Sequence, residues 1–173
     1  MIRKVQEIIG LPVIDVESGK KLGKVNDIFL SADQELKAVT IDAKHWFSSS
    51  RFIAWEDIAG FGDDAVTIPN ELVIRSFEET NPWIAFLSGN KKLKEMSVMT
   101  VTGNQLGLIS DVYFDPELGT KMIGLELTDG FISDLKEGRK WMRLPETVTI
   151  GDDTIVVPAE SEDALEEIVT IKR

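Results

Sequence analysis

Leu22-Gly23-Lys24-Val25-Asn26-Asp27-Ile28-Phe29 returns 84 positions further on as Leu106-Gly107-Leu108-Ile109-Ser110-Asp111-Val112-Tyr113. This pairing decides the fold, because a missed internal repeat misreads the whole chain. At the same spacing Val39 and Ile41 fall on Ile123 and Leu125, keeping the alternation of a half-buried strand. Upstream, Val13-Ile14-Asp15-Val16 before Gly19 corresponds to Val98-Met99-Thr100-Val101 before Gly103. Downstream, Gly62-Asp63-Asp64-Ala65-Val66-Thr67-Ile68-Pro69 returns as Gly151-Asp152-Asp153-Thr154-Ile155-Val156-Val157-Pro158, now 89 positions on. The second copy therefore carries about five extra residues, expected between Leu125 and Met142, against Ile41 to Ile53 in the first. Chance does not supply four aligned blocks in one order.

Each block reads as strand or turn. Gly19 and Gly103 stand where a hairpin needs positive φ, and the two Gly-Asp-Asp clusters are turns between apolar runs. Simple alternation puts Val25, Asp27 and Phe29 on one strand face, with Ile28 and Leu30 on the other. Pro69 and Pro158 end the last strand of each copy, since proline cannot donate to a ladder. The expected fold is all-β: two small antiparallel β-barrels in tandem, over residues 1–70 and 93–173. The linker, 71–92, has room for a short helix at Ser76-Phe77-Glu78-Glu79, interrupted at Asn81-Pro82. Ser161-Glu162-Asp163 opens the tail like a short C-terminal helix, a serine cap followed by acids.

The chain has 173 residues and a net charge of −11, of which residues 93–173 carry −8. Gripping a phosphate backbone needs positive charge, so direct nucleic-acid binding is disfavoured and protein partners fit better. Lys91-Lys92-Leu93-Lys94 is too short to be a nucleic-acid patch. No apolar run approaches the roughly 18 residues of a transmembrane helix, and the N-terminus does not read as a secretory signal. With no cysteine, disulfides and thiol chemistry are excluded, and a cytoplasmic location is expected.

The residues that carry chemistry form no catalytic centre. His45, the one histidine, sits in Ala43-Lys44-His45-Trp46-Phe47-Ser48-Ser49-Ser50-Arg51 with no orienting carboxylate at a useful spacing. Asp63-Asp64 and Asp152-Asp153 lack the alternate acids and distal glutamate of an EF-hand, so solvated hairpins explain them better than a metal does. Asp115-Pro116-Glu117-Leu118-Gly119 is a turn, and no phosphate-binding glycine loop occurs. Asp27 and Asp111 share one place in both copies, where buried acids usually accept backbone N–H groups. No cofactor, metal or catalytic residue is therefore expected. The candidate partner-binding residues are aromatic: Trp46, Phe47, Trp83, Phe86 and Phe131, with packing between the copies as the competing reading.

Ile8-Ile9-Gly10-Leu11-Pro12-Val13, then Gly19 to Asp27, then Phe52-Ile53-Ala54-Trp55-Glu56-Asp57-Ile58 resembles the PRC-barrel domain family. The second copy is similar through Gly103 to Gly107, Asp129-Gly130 and Gly138-Arg139-Lys140-Trp141-Met142, but has Glu95-Met96-Ser97 in place of Gly10-Leu11-Pro12. The whole chain looks like the stand-alone, two-barrel bacterial YrrD type, and distantly like the C-terminal barrel of the ribosome maturation factor RimM. The resemblance implies barrels of about six strands, used for binding or assembly rather than catalysis. A protein–protein adaptor is the expected function, its partner being another protein or a second copy of the chain as a homodimer. The alternative is an RNA-processing or ribosome-assembly factor acting through a basic ribosomal protein.

Overall fold

The computed structural model describes residues 1–41, 51–77, 81–129 and 139–167. The chain opens on a two-residue strand, β1 (Arg3–Lys4), and one helical turn, α1 (Val5–Ile8). The first barrel follows as β2 (Pro12–Asp15), β3 (Lys21–Leu30), β4 (Leu36–Ile41), β5 (Arg51–Ala54), β6 (Gly60–Phe61), β7 (Val66–Ile68) and β8 (Ile74–Ser76). After β9 (Ile84–Ala85), the second comprises β10 (Ser97–Thr100), β11 (Gln105–Phe114), β12 (Met122–Thr128), β13 (Lys140–Arg143), β14 (Thr149–Ile150), β15 (Thr154–Val157) and β16 (Glu166–Glu167). The two sheets run in the same order, β6-β7-β2-β3-β4-β5-β8 and β14-β15-β10-β11-β12-β13-β16. Pairing is antiparallel except for β2 beside β7 and β10 beside β15. Those two pairs are joined through the rest of the barrel rather than by a hairpin, so parallel pairing is open to them.

The repeated motifs have separable structural causes. Gly19 and Gly103 take the positive φ their turns need, +70° and +92°. Gly23 and Gly107 both sit at φ +152° within the long strands, and a Cβ on Gly107 would meet the Thr128 carbonyl oxygen at 2.8 Å. The Gly-Asp-Asp turns close with Gly62 N–H on Ala65 O at 2.9 Å and Gly151 N–H on Thr154 O at 3.0 Å. β7 and β15 each stop at the residue before proline.

Two expectations need correction. The register of β3 against β4 jumps between Val25 and Asp27, and that of β11 against β12 between Ile109 and Asp111, so Asn26 and Ser110 are bulge residues. A bulge reverses the alternation. Val25, Ile28 and Leu30 all enter the core, and Val25 does not share a face with Asp27 and Phe29. Secondly, Val39 lies opposite Ile28 and Leu125 opposite Val112, so the partner of Val39 is Leu125 and not Ile123. Part of the insertion thus lies in the β11–β12 hairpin, residues 115–121 against 31–35. A slip of two residues leaves inward positions facing inward, so alternation alone does not detect it.

The segment between the copies divides in two. Its first part is a 3-10 turn, Glu71–Val73, capped by Asn70 Oδ1 accepting Leu72 N–H at 2.9 Å, and then β8 on the edge of β5. The tail repeats this pattern, with a 3-10 turn at Ala159–Glu162 and then β16 on β13. The C-terminal helix expected from Ser161 is therefore a turn and a strand, and Ser161 is buried within the turn. Ser76 likewise lies in a strand, while residues 78–80 and 168–173 lie outside the described residues. Pairing an open sheet edge satisfies backbone groups that a helix of a few residues, costly to nucleate, does not.

The second part, β9, pairs with β3, placing Ala85 opposite Phe29 and Ile84 opposite Leu30. Its counterpart at the N-terminus is β1, which pairs with β11 of the second barrel through Lys4 and Tyr113, Arg3 and Phe114. Each copy's leader strand thus completes the other copy's sheet. Val5 and Ile8 follow one leader, Phe86 and Leu93 the other, and all four are fully buried. Arg3 binds across the junction, donating from Nη1 to Phe61 O at 2.9 Å and from Nη2 to Gly62 O at 3.0 Å. Trp55 and Phe61 of the first copy pack on Phe114 of the second, at centroid distances of 5.2 and 5.8 Å. One hydrophobic core runs through both barrels.

Glu95 occupies the place of Gly10. Gly10 N–H bonds to Val25 O and Glu95 N–H to Ile109 O, both at 2.8 Å, and Glu95 keeps the positive φ of the glycine, +71° against +91°. A side chain there crowds its own backbone. Glu95→Gly is expected to stabilise the chain by about 0.5–1 kcal/mol, after the entropy glycine loses on folding. Its exposed ion pair with Lys92, 3.4 Å, offsets little of this. Urea titration checks it, and an unchanged or lowered midpoint rejects it. Among the described residues no helix is long and apolar enough to cross a membrane.

Candidate functional site

The bulges at Asn26 and Ser110 aim the next residue, Asp27 or Asp111, at the incoming leader. Asp27 Oδ1 accepts Ile28 N–H at 2.7 Å and Leu87 N–H at 2.9 Å, and its Oδ2 accepts Ser88 N–H at 3.0 Å and the Ser88 hydroxyl at 2.7 Å. Asp111 Oδ1 accepts Val112 N–H at 2.8 Å and Gln6 N–H at 3.2 Å. The repeated aspartates are acceptors for backbone, as their sequence context suggests. Besides the N–H of the next residue in its own strand, each accepts the leader from the other copy.

Around these anchors the two faces differ. On the second barrel the residue across from Asp111 is Glu126, only 2% exposed. Its Oε2 receives Lys4 Nζ at 2.9 Å and the Tyr113 hydroxyl at 3.2 Å, and its Oε1 receives Ser110 Oγ at 2.9 Å and Arg139 Nη1 at 3.2 Å. Lys4 Nζ lies 5.6 Å from the centroid of the Tyr113 ring, which meets Trp141 edge-on at 4.6 Å. Both carboxylate oxygens are thus occupied by bonds within the chain, so Glu126 acts as a strut and is not a free base.

Two adjacent buried carboxylates titrate differently. Burial pushes Asp111 up to about 6, with Glu126 adding to the rise and the N–H groups of Val112 and Gln6, then the Lys4 charge, opposing it. Burial also acts to raise Glu126, but hydrogen bonds from Lys4 and Ser110 and the charges of Lys4 and Arg139 hold it below its ordinary value. Burial first, then Glu126, raise the Tyr113 phenol.

A carboxyl raised in the fold binds its proton more tightly than in the unfolded chain. Its stabilisation is complete below the unfolded value near 4 and is lost as pH rises through about 6. Asp111→Asn removes this dependence. The stability of the parent relative to the variant is expected to fall by about 1–3 kcal/mol between pH 4 and pH 7. Urea unfolding of both proteins across that range checks it, and parallel curves reject it.

On the first barrel the ion network has no equivalent among the described residues. Thr40 stands where Glu126 does, Phe29 where Tyr113 does, and Ala85 where Lys4 does. Phe29, Phe52, Phe77 and Trp83, all half-buried, form an aromatic face there. Phe77 lies 4.9 Å from Phe29 and 4.6 Å from Phe52, and Trp83 lies 5.7 Å from Phe52 and 6.5 Å from Phe29. A pocket of about 240 Å³ opens beside them, lined by Asn26, Asp27, Phe29, Thr40, Ile41, Phe77 and Ser88.

A family model for the PRC-barrel domain matches residues 2–73 and again residues 88–164. The chain belongs to the PRC-barrel domain family. No curated protein matches it significantly. Between the two matched PRC-barrel segments lie β8 and β9, the strands that complete the first sheet.

Of the aromatic residues singled out in the sequence, Trp46, Phe47 and Phe131 lie outside the described residues, as does His45. Trp83 belongs to the aromatic face. Phe86 does not: it is fully buried, because it follows β9 into the shared core as Val5 follows β1. As a surface contact for a partner it is corrected. Among the described residues no group of three or more histidine, cysteine or acidic side chains could hold a metal. Sequence reasoning did not find Phe29, Phe52 and Phe77 on one side, nor Lys4, Tyr113, Glu126 and Arg139 on the other. The signal for Glu126 is its mismatch with Thr40, which becomes visible only in the correct register.

Proposed function

We propose that this PRC-barrel chain is a non-enzymatic binding or assembly module that engages a basic, cytoplasmic protein partner through the aromatic face of its first barrel. The observation that carries the reading is the asymmetry between equivalent faces. One is closed by Glu126 and its four partners, and the other offers Phe29, Phe52, Phe77 and Trp83 beside an open pocket. Clustered aromatics with part of their surface in water are the residues that anchor interfaces. A net charge of −11 favours a basic partner and speeds its approach.

A photo-crosslinking residue at Phe77, compared with the same residue at Trp141 on the closed face, tests this in cells. A discrete basic protein captured from position 77 and not from 141 supports it. Capture of a ribosomal protein would turn the reading toward ribosome assembly. No crosslink from 77, or the same products from both positions, would remove the reading.

A further inference from the structure

The duplication supplies an internal comparison for the open pocket, because the same site in the second barrel is filled by the chain itself. There the Lys4 side chain reaches from the leader across the Tyr113 ring to a buried carboxylate. In the first barrel the leader residue at that place is Ala85, whose methyl group has neither the reach nor the charge of a lysine. The ring is retained as Phe29 and supplemented by Phe77; Thr40 replaces Glu126, and the buried acid that lines the pocket is Asp27, the counterpart of Asp111, 2% exposed. Asp27 is held by backbone N–H groups and the Ser88 hydroxyl, and among the described residues no ion pair reaches it. These four donors are neutral, so the carboxylate is satisfied in hydrogen bonds but has no countercharge among the described residues. A cation delivered to it over an aromatic ring is favoured by both the charge and the ring.

We infer that the pocket lined by Asp27, Phe29, Phe77 and Ser88 takes the ammonium of a lysine side chain from the partner protein, in the place that Lys4 fills in the second barrel. This inference rests on the proposed binding function and names the group recognised. The volume of about 240 Å³ lies under the roughly 300 Å³ at which small-molecule sites begin, so it suits the end of one side chain better than a metabolite. The aliphatic stem would lie along Phe29 and Phe77. The ammonium would donate to Asp27 Oδ2, the Ser88 hydroxyl oxygen and the Asn26 amide oxygen.

The test is a titration of the full chain with Nα-acetyl-lysine methylamide, followed by backbone amide NMR, beside the same compound acetylated on Nε. The lysine probe is expected to shift the amides of Asn26, Asp27, Phe29 and Ser88 with millimolar affinity, and the neutral probe to leave them in place. Phe77→Ala is expected to weaken binding about threefold, as loss of one ring from a partly exposed cation–π site does. Ala85→Lys, which supplies the side chain from within, is expected to abolish the response. If that variant does not fold, Phe77→Ala and the neutral probe still decide. No shifts, or equal shifts from both probes, would overturn the inference. Crosslinking from position 77 that persists with no lysine response leaves the binding module standing and the lysine pocket rejected. Lysine shifts without crosslinks separate the two the other way.

Discussion

A chain that begins at Gly10 is expected not to fold cooperatively, although it keeps every strand of both barrels except β1. The missing leader carries Val5 and Ile8, each fully buried and each worth about 1.5–3 kcal/mol by transfer from water. It also carries Arg3, whose bonds to the Phe61 and Gly62 carbonyls are charge-assisted and contribute about 1.5–3 kcal/mol apiece. Loss of Lys4 leaves Glu126 with Arg139 as its one cation among the described residues, and losing a charge-assisted bond to a buried carboxylate costs about 1.5–3 kcal/mol. These losses rival the 5–15 kcal/mol that holds an ordinary domain together. The truncated chain is expected to bind a hydrophobic dye and to lack a sharp thermal transition. A synthetic peptide of residues 1–11, added in excess, is expected to restore the transition by strand addition to β11. A truncated chain that melts sharply unaided would show that the exchanged leader is decoration.

Much of the fold is legible in the sequence, and the reason lies in what local chemistry encodes. Gly19, Gly103 and the Gly-Asp-Asp turns announce themselves because the backbone at a turn is set by the residues in it. Gly23 and Gly107 mark the repeat because both take φ +152°, and a side chain at Gly107 would meet the neighbouring strand. What the sequence conceals is pairing over distance. Nothing in Arg3-Lys4 indicates that it will lie beside Tyr113-Phe114, because a two-residue strand has no period and its partner is set by the whole topology. The tail misleads for a related reason. Serine followed by acids suits a helix start, but the open edge of β13 offers the backbone a better set of bonds.

The candidate site was half legible on the same terms. Asp27 and Asp111 are marked by repetition at a position flanked by apolar residues, and their role as backbone acceptors follows from burial alone. The difference between the faces depends on aligning Thr40 with Glu126. That alignment is hidden by the longer β11–β12 hairpin, whose extra residues preserve the alternation while changing the register. Phe29 and Phe52 look in sequence like ordinary strand aromatics. Only the bulge at Asn26, and the strand β8 that brings Phe77 alongside, turn them into one surface.

Phe86 and Trp83 stand three residues apart and divide stability from binding. Phe86→Ala is expected to cost about 3–5 kcal/mol, because the ring is fully enclosed and its backbone is fixed on both sides. Its N–H bonds to Ile28 O and its carbonyl accepts Lys94 N–H, both at 2.9 Å, so the chain cannot close readily on the cavity. For a chain of this length the melting temperature is expected to fall by about 10 °C. Trp83→Ala removes a half-buried ring at the rim of the aromatic face and is expected to cost about 1–2 kcal/mol, while weakening partner capture severalfold. Differential scanning calorimetry and the crosslinking yield at position 77, measured on both variants below their transitions, separate the roles. Phe86→Ala with a near-parental melt, or with capture reduced as much as in Trp83→Ala, would mean that Phe86 faces a partner and does not plug the shared core. Burial of Ile84, Ala85 and Phe86 in unbroken succession argues the other way, since a strand with one face in water alternates and a leader enclosed between two barrels has no wet face to show.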